Sequence, residues 1–403
     1  MQRICDFFTL FASGNFDNFT TMKAFILMGA LVLGLTACQK AELWSPEKEE
    51  EGMEMTIAKV FSQLPLDRTH LDEVFNAVSS SSANGYDEEY RFLDLLGNPG
   101  AGVGDGDVFM QASKAEESVY EKPLKDLLAE YFEEHPLTKA GGAEESLELL
   151  RQSDCQIYWP YSEEWDGKTF PLVTFNPGTG LDYSEGYEIR PESGRPEPIR
   201  ITEELAKERP VWVINTNNDA GYTPAKIFLD DGLISPLLSP KEYDDGNKKI
   251  LLLRNFTMLR NYDNWLEGGS EFIIKCGSVN GFKASKEEDL AKYSPSVTDC
   301  MVVVKRRQLG LTLPLGVVLL TDFTEQMENI AFLITEDDGG TVTQWKCEAM
   351  VKYNSKSYGF NLDIPYRSKD DIVWRGQLSR DYLTGGRYTY SRLGDVEVTF
   401  EFR

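Results

Sequence analysis

Two kinds of hydrophobic periodicity divide the chain. Between residues 66 and 152 apolar residues recur every three or four positions, as Leu71, Val74 and Val78 do, and this spacing predicts amphipathic helices. A second such stretch begins at Pro123 and ends before Pro136. These positions fit a helix, because proline is tolerated at the start of a helix but not inside one. The pattern predicts a helical segment over residues 66–152.

After residue 153 the apolar residues occur in short β-branched and aromatic runs bounded by proline or glycine, which predicts strands. Residues 153–235 are expected to form a small β-rich unit, and the Pro-, Asp- and Gly-containing stretch 235–247 a linker. Residues 248–403 predict an antiparallel β-sandwich, so the fold class is α+β. The predicted sandwich strands are 249–258, 271–277, 300–306, 316–322, 329–335, 344–353, 358–366 and 396–402, with an edge strand or short helix at 370–378.

A targeting signal precedes these elements. Met22 and Lys23 come before an apolar run at residues 24–35 that is too short for an ordinary membrane span and ends in Leu35-Thr36-Ala37-Cys38. The segment resembles a bacterial lipoprotein signal peptide with Leu35 to Cys38 as its lipobox. The resemblance implies that residues 1–37 are a leader, with Met22 as its true start, and that the prepeptide is cut before Cys38, which is then acylated.

The residues after Cys38 indicate where in the cell envelope the protein is expected to lie. Gln39 follows the Cys, which by family analogy favours the outer membrane, on its periplasmic face or at the cell surface. Glu42, Glu47 and residues 49–51 make the next stretch acidic and resemble the surface-export signals of Bacteroidota lipoproteins. The alternative is a solvated, flexible tether. Either interpretation predicts an acidic tether over residues 38–65, held on the membrane by its acyl chains.

Charge and composition exclude several classes of protein. The chain has 41 Lys and Arg against 66 Asp and Glu, a net charge of −25, and such a surface repels the phosphate backbones that nucleic-acid-binding proteins must neutralise. Two His leave little material for His-based zinc sites. The dense basic run at residues 305–307 suits a solvated strand end or contact with anionic lipid.

Four cysteines remain in the exported chain, and they permit three pairings that the sequence does not distinguish. Cys276 and Cys347 lie in strand-like runs, where buried free thiols are common. We therefore expect an incomplete disulfide framework. The four residues are Cys155, Cys276, Cys300 and Cys347.

Acidic residues follow two strands of the predicted sandwich. Asp263 comes after the first strand, and Glu336, Asp337 and Asp338 come after the fifth. Ca²⁺ takes six to eight oxygen ligands, which flexible acidic loops can supply. Strand number and loop position over residues 248–403 resemble a calcium-binding C2 domain in its second topology, although the first loop offers one carboxylate where such domains usually offer two. Calcium at these four residues is the only cofactor that the chain suggests, and a plain Asp-Gly turn is the alternative.

A cluster of aromatic residues offers a second candidate site. Trp159, Tyr161 and Trp165 lie beside Glu163 and Glu164, and could form a platform for sugar rings next to a carboxylate pair. Aromatic residues at strand spacing also pack protein cores. The sequence leaves both interpretations open.

Motifs of catalysis are not found. Neither H-E-x-x-H nor G-x-S-x-G occurs, and the Gly-rich stretch 97–107 lacks the spacing of a nucleotide-binding loop. The sequence therefore predicts a lipid-anchored envelope protein that binds or scaffolds, with a glycan or an envelope protein as candidate partner and no catalytic residue. The alternatives are a secreted glycan-active hydrolase with an unidentified carboxylate pair, and a calcium-dependent binding module.

Overall fold

The described part of the chain begins with helices, continues with a mixed sheet and ends in a β-sandwich. The computed structural model describes residues 52–97, 122–138, 141–189, 196–217, 222–225 and 249–403. None of the described helices is long and apolar enough to cross a bilayer. The helices are α1 (Met53–Gln63), α2 (Arg68–Ala83), α3 (Phe92–Leu96), α4 (Leu124–Glu134), α5 (Ala143–Arg151), α6 (Glu203–Glu208) and α7 (Arg380–Thr384).

Helix α2 begins with a reciprocal cap. The Asp67 carboxylate accepts from the backbone N–H of His70, and Nδ1 of His70 accepts from the backbone N–H of Asp67 at 3.1 Å, which satisfies two donors that the first turn leaves without partners. Leu71, Val74 and Val78 are fully buried on one face. The periodicity of this segment therefore predicted the helix and its core face correctly.

Helix α1 corrects the predicted tether. Ile57 and Phe61 are 2% and 0% exposed, and the Phe61 ring packs 6.0 Å from that of Trp212. The prediction of a tether over residues 38–65 is thus wrong from residue 53 onward, because this stretch buries apolar side chains. The leader, Cys38 and the tether up to residue 51 lie outside the described residues, as does the linker predicted at 235–247.

A mixed sheet organises the first half of the chain. Its strand order is β1-β2-β6-β3-β4-β5, with β3 and β6 parallel and the other neighbours antiparallel. Ile157, Trp212 and Ile214 share one apolar core with the helices, so the described parts of the segments 66–152 and 153–235 form one layered region and not separate units. The strands are β1 (Glu89–Arg91), β2 (Cys155–Tyr158), β3 (Leu172–Phe175), β4 (Tyr183–Glu188), β5 (Ile199–Thr202) and β6 (Val211–Thr216).

The other face of this sheet is covered by a loop from the second half of the chain. Tyr158, Leu172 and Val213 form a buried cluster with Trp265 and Leu266. A strand that is buried on both faces needs apolar residues at consecutive positions. This explains the unbroken apolar run at the start of β6.

The second half is an antiparallel β-sandwich. Its two four-stranded sheets have the orders β10-β7-β16-β15 and β14-β11-β8-β9, and a β12–β13 hairpin forms a further pair. The predicted sandwich is confirmed, the stretch 370–378 is a strand, and one strand, β15, is additional. The strands are β7 (Leu251–Met258), β8 (Ser270–Ser278), β9 (Ser296–Val304), β10 (Leu313–Leu320), β11 (Asn329–Glu336), β12 (Val342–Tyr353), β13 (Lys356–Arg367), β14 (Asp371–Ser379), β15 (Tyr388–Leu393) and β16 (Val396–Phe402).

Aromatic contacts join the two sheets of the sandwich. The Phe256 and Phe272 ring centroids lie 4.9 Å apart and those of Phe332 and Phe400 lie 5.4 Å apart. Gly277 of β8 lets the β12–β13 hairpin approach closely, since a Cβ at this position would meet the Ile364 side chain at 3.0 Å. The hairpin thus extends the core beyond the two sheets.

The cysteines of the described chain are free thiols. Cys155 and Cys276 are buried, and Cys300 and Cys347 are partly buried. Burial raises the pKa of Cys276 and Cys300 to about 12, so these thiols are poor nucleophiles at neutral pH. The expectation of an incomplete disulfide framework agrees with this arrangement.

Candidate cation site

The loop between β7 and β8 carries Asp263 and is anchored on both sides. Trp265 is 1% exposed and donates its indole N–H to the backbone oxygen of Asp182 at 2.9 Å. The side-chain amide of Asn215 donates to the backbone oxygen of Leu266 at 3.0 Å. These contacts fix the loop against the mixed sheet and hold Asp263 at one end of the sandwich.

The other acidic loop begins at the end of β11. Glu336 is the last residue of this strand and pairs with Phe272 of β8 in the antiparallel register. One position further, the backbone N–H of Asp337 donates to the backbone oxygen of Glu271 at 3.0 Å. Strands β8 and β11 therefore place Glu271 and Glu336 at the same end of the sheet, next to the Asp263 loop.

Three carboxylates meet at this end. One oxygen from each of Asp263, Glu271 and Glu336 lies within 4.8 Å of the other two. Oxygens on a common Ca²⁺, each 2.3 to 2.6 Å from the ion, are at most about 5 Å apart. The three side chains can therefore coordinate one ion together.

Burial makes this cluster costly without a cation. Glu336 is 1% exposed, and when it is ionised no described residue donates a hydrogen bond to either of its carboxylate oxygens; Oδ2 of Asp263 also lacks a donor. Burial raises the pKa of Asp263 to about 7. Burial, a hydrogen bond from the protonated Glu336 carboxyl to Asp263 and the Asp263 charge raise the pKa of Glu336 further. Among the described residues neither side chain forms an ion pair with Lys or Arg. A cation would offset the repulsion between the carboxylates and would give their unsatisfied oxygens a partner.

Two of the three carboxylates, Asp263 and Glu271, line a cleft between the mixed sheet and the sandwich, with a volume of about 440 Å³. None of its described lining residues is Lys or Arg. Besides the acidic residues, side-chain amides such as those of Asn176 and Asn215 line it. The mixed-sheet side contributes Glu54, Asp87 and Glu89. The sandwich side contributes Asp263, Glu267, Glu271, Asp337 and Asp338.

The structure places the four predicted calcium ligands in one region but in different roles. Asp263 and Glu336 belong to the three-carboxylate cluster, whereas Asp337 and Asp338 line the cleft beside it. Oδ1 of Asp337 accepts from the backbone N–H of Gly339 at 3.1 Å, as in an Asx turn. Sequence reasoning missed Glu271 because it lies inside a strand, although its position at the strand's beginning, next to the Asp263 loop, was a usable signal.

The predicted aromatic platform is wrong for Trp159. This ring is 0% exposed and packs edge-on against Trp212 at 5.7 Å, so no sugar can reach it. Tyr161 donates its hydroxyl to Glu203 at 2.8 Å, and the Trp165 indole donates to the backbone oxygen of Thr169 at 2.9 Å. The three aromatic residues therefore serve packing and local hydrogen bonding.

The basic run at 305–307 holds the two halves of the molecule together. Arg306 pairs with Glu203 at 3.0 Å, and Arg307 pairs with Glu88 and Glu163. Burial is the main cause that raises the pKa of Glu88, to about 8. Neither interpretation of this run from the sequence, a solvated strand end or a lipid contact, fits side chains that bind acids of the same molecule.

A search of protein-family models finds no match for this chain, and a search of curated protein sequences finds none either.

Proposed function

We propose that the protein is a lipid-anchored cell-envelope protein whose folded part binds a divalent cation, Ca²⁺ in preference to Mg²⁺, as a binding module and not as an enzyme. The anchor rests on the lipobox at Leu35 to Cys38. The cation site comprises Asp263, Glu271 and Glu336, with the neighbouring acids of the cleft available to complete the shell.

One observation carries the proposal: Glu336 is buried beside two further carboxylates, and when it is ionised no described residue donates to its oxygens. Buried polar groups in folded proteins nearly always have partners, and a cation supplies one to Glu336 and Asp263. Ca²⁺ fits better than Mg²⁺ because it accepts irregular shells of six to eight oxygens, whereas Mg²⁺ requires near-octahedral geometry.

The glycan hydrolase alternative would need both members of a carboxylate pair to reach the glycosidic bond. Asp263 and Glu336 are close together, but Glu336 is 1% exposed, and Trp159, one of the aromatic residues expected to hold the sugar, is fully buried. Burial of Glu336 therefore favours cation binding over acid–base catalysis.

Thermal unfolding of the full chain with Ca²⁺, Mg²⁺ or a chelator tests the cation site. Ca²⁺ at 100 times its Kd should stabilise the fold by about 2.7 kcal/mol. The variant Glu336→Gln should lose this response, while Glu397→Gln, the same change at an exposed position of β16, should keep it. Equal melting temperatures with Ca²⁺ and with chelator would refute the proposal, and release of sugars from polysaccharides would favour the hydrolase.

Mass spectrometry of the membrane fraction tests the anchor. A mature chain that begins at an acylated Cys38 is expected, and Cys38→Ser should leave the leader attached and the acyl chains absent. Recovery of a soluble product that keeps residues before Cys38 would end the lipoprotein interpretation.

A further inference from the structure

The mixed-sheet side of the cleft holds two buried side chains with unpartnered oxygens. Asp87 is 4% exposed; its Oδ2 accepts from the backbone N–H of Gly269 at 2.7 Å, and its Oδ1 has no partner among the described residues. Asn215 is 1% exposed; its amide N–H₂ donates to two backbone oxygens of the Asp263 loop, and no described residue donates to its Oδ1. Both residues line the cleft.

Two carboxylates lie on the same side of the cleft and are fixed by neighbouring side chains. Glu54 accepts from the Thr216 hydroxyl at 2.8 Å, and Glu89 accepts from the Asn217 amide at 3.3 Å. Both acids line the cleft, where no described Lys or Arg side chain is present. The described lining of the cleft therefore contains acidic but no basic side chains.

The unpartnered groups on this side are all hydrogen-bond acceptors, so a fitting ligand must supply donors. A primary ammonium group supplies three N–H donors, no acceptor and a positive charge. A neutral sugar hydroxyl brings acceptor lone pairs as well as a donor, and it does not neutralise the carboxylates of the cleft. The cleft is also much larger than one metal ion, and its volume of about 440 Å³ lies in the range of organic-ligand sites.

We propose that the mixed-sheet side of the cleft binds a primary ammonium group, carried by a free polyamine or by a lysine side chain of a partner protein. Asp87 and Asn215 accept its N–H groups, and Glu54 and Glu89 supply the countercharge. This inference goes beyond the proposed cation site and uses different residues, so either can fail without the other.

Calorimetric titration of the full chain tests the inference. The probes are spermidine, a lysine-containing tripeptide, the same peptide acetylated on its lysine, and maltose. Each probe is titrated once with Ca²⁺ present and once with chelator. Spermidine or the unmodified peptide should bind, and the acetylated peptide and maltose should not. Binding of spermidine indicates a free polyamine as the natural ligand, whereas binding of the peptide alone indicates a partner's lysine; either result supports the site.

Variants locate the binding. Asp87→Asn keeps an acceptor for the Gly269 N–H but replaces the unpartnered oxygen by an N–H₂ donor. Glu89→Gln removes one negative charge. Each variant should weaken amine binding about tenfold, the effect of losing one hydrogen bond to a charged group. Both should retain the stabilisation by Ca²⁺. Glu134→Gln, on the exposed surface of α4, should leave amine affinity unchanged. The inference is overturned if no amine binds, if maltose binds instead, or if Glu134→Gln weakens amine binding as much as Asp87→Asn.

Discussion

The guanidinium of Arg306 donates to the backbone oxygen of Asp263 at 2.7 Å. The same side chain pairs with Glu203 of α6 at 3.0 Å. One arginine thus links the mixed sheet to the loop that carries a candidate cation ligand. The position of Asp263 depends on this docked arrangement as well as on its own strand connections.

Replacing Arg306 by alanine should destabilise the fold and weaken Ca²⁺ binding. The change removes the hydrogen bonds that Arg306 donates to Glu203 and to the Asp263 carbonyl oxygen, which should cost about 2 kcal/mol in the free energy of unfolding. Urea unfolding with and without Ca²⁺ measures both effects. Arg375→Ala, an exposed position on β14, is the matched control. A normal Ca²⁺ response in Arg306→Ala would show that the loop keeps its position without this contact.

The variant Glu336→Gln should be more stable than the wild type when no cation is present. An amide in this buried position needs no proton to be neutral, and it can donate to Asp263, so we expect a gain of about 1 kcal/mol. Differential scanning calorimetry in chelator measures the change. Loss of stability in chelator would mean that the Glu336 carboxyl group makes a favourable contact in the cation-free protein.

The stability of the cation-free protein should fall as the pH rises, and saturating Ca²⁺ should abolish this fall. Burial raises the pKa of Asp263 to about 7, whereas an unfolded Asp has a pKa of about 3.9. Without cation, the folded protein therefore holds the proton more tightly, and the stability due to this group falls as the pH rises from about 4 to 7. Ca²⁺ affinity should rise over the same window because the ion displaces the proton.

Comparison with Asp263→Asn isolates this contribution from that of other titrating groups. The difference in unfolding free energy between wild type and variant, measured in chelator at several pH values, should slope downward between about pH 4 and 7. A flat difference would indicate that Asp263 titrates normally.

Truncating Trp265 to alanine should cost about 3 to 5 kcal/mol in unfolding free energy, the range for a fully buried aromatic side chain. Its ring is 1% exposed in the cluster that covers the mixed sheet. Urea unfolding gives the loss, and Tyr390→Ala, at a 76% exposed side chain, should change the stability by less than about 0.5 kcal/mol. Similar losses in the two variants would contradict the anchoring role of Trp265.

The sandwich could be predicted from the sequence because its strands are short β-branched and aromatic runs separated by turn residues. Strand β16 has the predicted end, Phe402, and starts at the predicted Val396. Strand β15 was missed because its alternate positions are Tyr388, Tyr390 and Arg392, which give no apolar alternation. Helix α1 was missed because the acids before it suggested a solvated tether, although Ile57 and Phe61 lie at helical spacing.

The candidate site was predictable only in part. Asp263 and Glu336 follow strands that end at the same side of a sandwich, so their proximity follows from topology. Glu271 lies in a strand, and Asp87 and Asn215 lie far away along the chain, so their contribution depends on how the two halves pack. No periodic pattern encodes such a junction, because it arises from single contacts such as the one between Asp87 and Gly269.

The packing of Trp265 and Leu266 against the mixed sheet affects how the protein can be divided experimentally. A fragment that starts near residue 249 would expose both side chains to water and would release the Asp263 loop from its anchors. Such a fragment should self-associate through these side chains and lack an assembled cation site. Absence of binding in an isolated sandwich would then reflect the cut and not the chemistry of the intact protein.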